Sequence, residues 1–319
     1  MREIQNGRTD AAPWGTKMKR HVLLNSLGLV VVLTSTSLAQ GPQAKLPPGT
    51  KVFRDLEYVK GGHERQRLDL YVPEGSVAPL PVIVWVHGGA WFAGSKQGVG
   101  PALPFAGKGY AVASINYRLS QHARFPAQIE DCKAAIRWLR ASAKTYNIDP
   151  DHFGAWGTSA GGHLVALLGT SGDVKELEGT EGMPDQSSRV QAVVDWFGPT
   201  DFTKMRGGHD QPNSPEARLL GGPVQENKHK AARANPITYI TKDDPPFLIL
   251  HGDKDATVPF NQSELLFAAL KKAGVDVTFQ PVKGAGHDGR EFASDGNREL
   301  VEAFFDKHLK TRSDHKPAR

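Results

Sequence analysis

Ser159 stands at the centre of Gly157-Thr158-Ser159-Ala160-Gly161-Gly162. An apolar run, His152-Phe153-Gly154-Ala155-Trp156, precedes it, and a helix-like run, His163-Leu164-Val165-Ala166-Leu167-Leu168, follows. A strand, a sharp turn and a helix with serine at the apex form the Gly-x-Ser-x-Gly nucleophile elbow. The bend strains the serine backbone and lifts its hydroxyl above the sheet edge. Gly157 and Gly161 carry no side chain to collide across so tight a turn. The helix that follows points its free N–H groups and positive dipole end at the same place. The chemistry expected here is attack by a serine oxygen on an acyl carbon.

A serine hydroxyl is a weak nucleophile at neutral pH and needs a positioned base. In an elbow of this kind the acid and then the histidine come later in the chain. His315 falls in the basic tail, and His308 shares the apolar side of the last helix with Val301, Phe304 and Phe305. His287 lies in Gly284-Ala285-Gly286-His287-Asp288-Gly289, a loop just after a strand, and is the expected base. The acid belongs just past the strand Phe247–His251, where Asp253 and Asp255 compete. Asp255 sits deeper in the loop, before Val258-Pro259, and is expected to accept the imidazole N–H and stabilise the imidazolium. Asp253 is expected to stabilise the turn.

The developing oxyanion needs N–H donors. Ala160 should supply one, as the residue after the nucleophile. Gly89 and Ala90, in the loop His87-Gly88-Gly89-Ala90-Trp91, should supply the others, with Gly88 a further option. Trp91 and Phe92 are candidate walls of the acyl pocket, with core packing the alternative. His87 is expected to hold the loop, and His163 and His251 to pack or hydrogen-bond internally. No metal-ligand spacing is present. The glycines around Ser159 match neither a dinucleotide fingerprint nor a phosphate loop, so neither metal nor cofactor is expected.

These residues need a sheet to bring them together. Residues 52–59 and 67–72 alternate enough for an antiparallel pair. Val82-Ile83-Val84-Trp85-Val86 reads as a strand buried on both faces. Further strands are expected at 111–116, 152–156, 191–197, 247–251 and 276–282, and helices at 126–145, 160–169, 261–273 and 297–309. Lys271 and Lys272 in the last turn, then Gly274, mark the end of the third of those helices. Alternating β and α units predict an α/β fold, a mostly parallel, doubly wound sheet of about eight strands with helices on both faces. Two polar excursions, 170–190 and 198–240, interrupt the alternation, and the second is expected to form a small partial lid.

The chain has 319 residues and a formal net charge of +5. Residues 1–39 hold five of the basic and two of the acidic side chains, which leaves +2 for the remainder. That is no electrostatic footprint for nucleic acid. Lys17, Lys19, Arg20 and His21 precede an apolar run, Val22 to Leu38, and Ser37-Leu38-Ala39 offers small residues for a signal peptidase. Residues 1–39 therefore read as a signal peptide cleaved after Ala39, with Met18 an alternative start. The run is too short and polar for a lasting membrane anchor. Residues 40–50 are a Pro/Gly-rich lead-in, 51–310 a single domain, and 311–319 a basic tail expected to be disordered. Cys132, the one cysteine, recurs with Ile129, Ile136 and Leu139 at helical spacing and reads as a core residue.

The set Val84-Trp85-Val86-His87-Gly88-Gly89-Ala90-Trp91, Asn116-Tyr117-Arg118-Leu119, Gly157-Thr158-Ser159-Ala160-Gly161-Gly162-His163, Phe197-Gly198-Pro199-Thr200-Asp201 and His251-Gly252-Asp253-Lys254-Asp255 resembles a known family. It is similar to bacterial α/β-hydrolase esterases of the feruloyl-esterase and acetyl-xylan-esterase-like group, relatives of hormone-sensitive-lipase-type esterases. The resemblance runs from about residue 50 to 309. It implies an α/β-hydrolase fold, no cofactor, and ester substrates, often acyl groups on plant polysaccharides. It also favours Asp255 over Asp253. Ala90 departs from the pattern, because lipase relatives often carry a third glycine there. The resulting expectation is a secreted or periplasmic serine carboxylic-ester hydrolase, acting on small-molecule or polysaccharide-linked esters. The alternatives are a prolyl-oligopeptidase-like peptidase, for which the chain has no room for a large N-terminal propeller, and a non-catalytic hydrolase-fold binding protein.

Overall fold

The structure is a computed structural model and describes residues 45–310. The expected signal segment 1–39, residues 40–44 of the lead-in and the tail 311–319 lie outside the described residues. Eight strands form one sheet: β1 (Thr50–Glu57), β2 (Arg67–Pro73), β3 (Leu80–Val86), β4 (Ala111–Ile115), β5 (Ile148–Thr158), β6 (Ala192–Trp196), β7 (Phe247–Gly252) and β8 (Val277–Val282). Their order across the sheet is β1-β2-β4-β3-β5-β6-β7-β8. β2 runs antiparallel to both neighbours, and every other adjacent pair is parallel. The parallel alignment places the carboxyl ends of β3, β5, β7 and β8 on one edge, where ligands of such sheets bind.

The middle strands read as continuous apolar runs because both of their faces are covered. All seven residues of β3 are buried. One face packs against α1 (Ala127–Ala141), α3 (Ala160–Thr170) and α6 (Asn261–Ala273), with Ile129, Cys132, Leu164 and Leu266 in the shared core. The other face packs against the 3-10 segment Gly100–Gly107 and α7 (Asp295–Leu309), through Phe105, Val301 and Phe305. α3 is buried along its whole length. Its apolar residues therefore show no one-sided stripe, since an all-round apolar helix belongs in an interior.

Element boundaries differ from expectation for local reasons. The helix expected at 126–145 divides at Ser142 into α1 and a short α2 (Ala143–Tyr146), where the Ser142 N–H turns to the Trp138 and Leu139 carbonyls. β5 begins earlier than expected, at Ile148, which pairs with Leu80. α6 ends as expected at Gly274, in the left-handed conformation with φ 84°. α7 starts at Asp295, two residues early, because the Ser294 side chain caps it by accepting the Asn297 N–H.

The 170–190 excursion is pinned to α1. Lys133 and Arg137, both buried, donate to the two carboxylate oxygens of Glu178 at 2.6 and 2.9 Å. The 198–240 excursion carries α4 (Pro215–Leu220) and α5 (Lys228–Arg233). Among the described residues no helix is long and apolar enough to cross a membrane.

Candidate active site

Ser159 occupies the turn between β5 and α3 with φ 54° and ψ −122°, a strained backbone for a residue with a side chain. The surrounding glycines hold that strain. A Cβ on Gly157 would overlap the Gly161 carbonyl, and one on Gly161 would overlap the Val86 carbonyl. The Ser159 N–H donates to the Trp196 carbonyl at 2.9 Å, which ties the apex to β6.

His287, in the loop between β8 and α7, places Nε2 3.0 Å from the Ser159 hydroxyl. Its Nδ1 lies 2.7 Å from Oδ2 of Asp255. A carboxylate only accepts, so Nδ1 carries the proton and Nε2 is left to accept from the serine O–H. Phe197, at φ 45°, sets its ring edge-on to the imidazole with centroids 4.6 Å apart. The Asp255 side chain is fully buried. Burial alone would raise its pKa. Donors from His251 and His287 and the Val258 N–H outweigh burial and hold the carboxyl well below the usual range. Oδ1 of Asp255 also accepts from the Thr257 and Val258 N–H groups, at 2.8 and 2.9 Å. Asp253, the competing acid, points elsewhere and accepts the Gly284 N–H at 2.7 Å. It thereby ties the loop after β7 to the start of the His287 loop.

Gly89 and Ala90 lie in the loop after β3 and line the same cavity as Ser159. Among the described residues, neither of their N–H groups donates within the backbone network. Gly89 has φ 108°, and a Cβ there would overlap the Ala93 carbonyl; Ala90 and Trp91 also have positive φ, at 52° and 60°. The Ala160 N–H opens α3 and has no helical partner by position. His87 braces the loop. Burial pushes its imidazole down to about 4, so it is neutral; Nδ1–H donates to the Gly88 carbonyl at 2.7 Å and Nε2 accepts from Arg65 at 3.2 Å. Its ring stacks on Tyr117 with centroids 4.4 Å apart.

Phe92 lines the cavity, but Trp91, expected as a candidate wall, does not. Two successive positive-φ residues turn the Trp91 side chain inward, where it is buried against Phe202 and donates to Nδ1 of His163 at 3.2 Å. The cavity has a volume of about 670 Å³. Besides Phe92, its aromatic walls are Trp85, Trp196, Phe197 and Phe292. Sequence reasoning did not single out these four, nor Thr257 and Asp288 in the same lining. Trp85 and Trp196 fall at the ends of β3 and β6, where a strand pattern marks burial but not which buried rings open onto a cavity. The cavity lining contains no residue of 198–240; Arg218 of α4, in that excursion, lies over the ring of Phe92 at 5.3 Å.

A sheet of this strand order, with a serine elbow after β5, an acid after β7 and a histidine after β8, is that of an α/β-hydrolase of the esterase type. The chain belongs to the BD-FAE family, whose model matches residues 68–270. It is 34% identical over 262 residues to Esterase LipQ of Mycobacterium tuberculosis, an alignment covering 79% of this chain and 61% of that protein. The chain thus spans less than two thirds of the length of that curated relative. Among solved structures, a truncated carbohydrate esterase from gut microbiota superposes with a TM-score of 0.78 at 35% identity, covering 83% of this chain and 99% of that one. A bifunctional GH43-CE protein of Bacteroides eggerthii superposes with the same score at 39% identity, over 83% of this chain and 36% of that one.

Proposed function

We propose that this chain is a secreted or periplasmic serine carboxylic-ester hydrolase that works through an acyl-enzyme on acyl esters of carbohydrates or on small esters. The observation that carries the reading is the unbroken relay from Asp255 Oδ2 through His287 to the Ser159 hydroxyl at the edge of an apolar cavity. In this reading His287 takes the hydroxyl proton as the Ser159 oxygen attacks the ester carbonyl. The N–H groups of Gly89, Ala90 and Ala160 meet the developing oxyanion, each worth roughly a hundredfold or more in turnover. Asp255 holds the imidazole in its tautomer and stabilises the imidazolium. His287 then protonates the leaving alkoxide. Water, activated by the same imidazole, releases the acid and restores the serine.

The cavity volume is in the range of small-molecule sites, and its aromatic walls suit the apolar body of an ester. The esterase names of the relatives support the reaction class, and the carbohydrate esterase among the solved structures supports the sugar-linked alcohol. The reading is tested in two steps. A fluorophosphonate probe should label Ser159 and no other residue. The unlabelled enzyme should then be scored as kcat/KM on aryl acetates, acetylated xylan and methyl ferulate. A folded protein that never labels, or that labels and turns over none of the three esters, overturns the reading.

A further inference from the structure

Asp255 is shared by two imidazoles. Besides His287, Nε2 of His251 lies 3.2 Å from the same oxygen, Oδ2. His251 is the fifth residue of β7, four positions before Asp255, and both side chains are fully buried. Its other nitrogen, Nδ1, is 2.7 Å from the hydroxyl of Ser263 in the first turn of α6. Nε2 is also 3.0 Å from the Val258 carbonyl. These neighbours settle the tautomer. Nε2 faces two groups that can only accept, a carbonyl and a carboxylate, so it must carry the proton; Nδ1 then accepts from the Ser263 hydroxyl, which can donate. With that tautomer Asp255 accepts three hydrogen bonds, from two backbone N–H groups on Oδ1 and from His287 on Oδ2, and the His251 Nε2–H, hydrogen-bonded to the Val258 carbonyl, also faces Oδ2 at 3.2 Å.

We infer that His251 is a positioning residue of the site: its Nε2–H, anchored on the Val258 carbonyl, also faces Asp255 Oδ2 and fixes the carboxylate against which His287 is oriented. The proposal rests on Asp255 being the acid of the relay. An apolar side chain could fill the space at the end of β7. It could not join the strand end to the loop 253–259 and the first turn of α6 through hydrogen bonds, nor set an N–H against the Asp255 carboxylate. A buried carboxylate left with an empty acceptor site must rotate or recruit water, and either change moves the imidazole it holds. The ionisable groups around the two rings are Asp255 between them, Asp195 on β6 and Asp288 beside His287.

Removing the His251 donor concentrates the negative charge of Oδ2 on His287 alone. That favours the imidazolium, so the acid limb of kcat/KM should move to higher pH. His251→Met keeps the volume and removes the donor. His251→Gln keeps an N–H₂ group near the position of Nε2. With an aryl acetate, His251→Met should lower kcat/KM at neutral pH on the order of 10- to 100-fold, as expected for a base displaced by about an ångström, and move the acid limb upward. His251→Gln should recover most of the rate and return the limb towards its original position. Ser263→Ala, a milder change that frees the tautomer, should move the limb the same way by less. If His251→Met folds and keeps the wild-type limb, the inference fails, whatever its rate. Should it not fold, a wild-type limb in Ser263→Ala has the same meaning. Absence of ester turnover in the wild-type enzyme overturns the functional reading and the inference with it.

Discussion

In the proposed relay Ser159, His287 and Asp255 act as one unit, so removing Ser159 or His287 should cost about as much as removing all three, and removing Asp255 less. Ser159→Ala is expected to lower kcat on an aryl ester on the order of 10⁴-fold or more while KM changes little; a variant within tenfold of wild type would falsify the assignment of the nucleophile. The two neighbouring aspartates offer a sharper test, because the structure gives them different partners. Asp255→Asn turns an acceptor of imidazole N–H into a possible donor and should cost roughly 10³- to 10⁴-fold in kcat/KM. Asp253→Ala loses a hydrogen bond to the Gly284 N–H and should cost less than about tenfold, chiefly through a looser loop. Equal losses would put the acid in doubt. The three residues that meet in the relay were legible because local signals mark each of them: the glycines around Ser159, and the strand ends before Asp255 and His287. Trp91 was not, because its direction depends on two positive φ angles that its residue type does not announce. Arg65 was not, because it reaches His87 from a distant hairpin and only the folded sheet brings the two together.

At the scale of elements, the elbow is held by close contact between α3 and the ends of β3 and β6. A Cβ on Gly162 would overlap Oδ1 of Asp195 and crowd the backbone of Gly198. Asp195 is buried in β6, accepts the Gly198 N–H at 2.9 Å, and leaves Oδ2 without a partner among the described residues. Burial pushes this carboxyl up to about 7, and the Gly198 N–H only partly offsets it. An aspartate in an unfolded chain titrates near 3.9. The folded value is the higher of the two, so stability is fully present below about pH 4 and is lost as pH rises towards 7. Asp195→Asn cannot ionise and should remove that part of the pH dependence. Calorimetry at pH 5 and pH 8 should show a smaller fall in Tm for the variant than for wild type, whatever its absolute stability. Parallel falls would mean that Asp195 does not titrate in this range. The strand pattern of residues 191–197 revealed β6 and its burial. It gave no sign that the one charged side chain within it would lie under the elbow, since that depends on how α3 crosses the sheet.

For the whole molecule, stability rests on the two core layers that sandwich the sheet, with no covalent cross-link within the chain. Cys132 is the one cysteine in the sequence, so no disulfide can form inside a single chain. It is buried in α1, and burial raises its thiol well above the ordinary value, which keeps it protonated and unreactive. A reducing agent should therefore leave Tm and turnover of an aryl ester unchanged. Export is the other whole-chain proposal, and it depends on residues outside those the structure describes. Lys19-Arg20-His21, the apolar run to Leu38 and the small residues Ser37 and Ala39 have the layout that signal peptidase cleaves. Expression of the full chain in a bacterial host with a Sec pathway should yield a protein outside the cytoplasm whose N-terminal residue is Gln40. Removing residues 1–39 should leave kcat/KM unchanged, because Ser159, Asp255 and His287 and the loops that hold them all lie within residues 45–310. Recovery of an uncleaved chain from the cytoplasm, beginning at Met1 or Met18, would end the case for export without touching the case for hydrolysis.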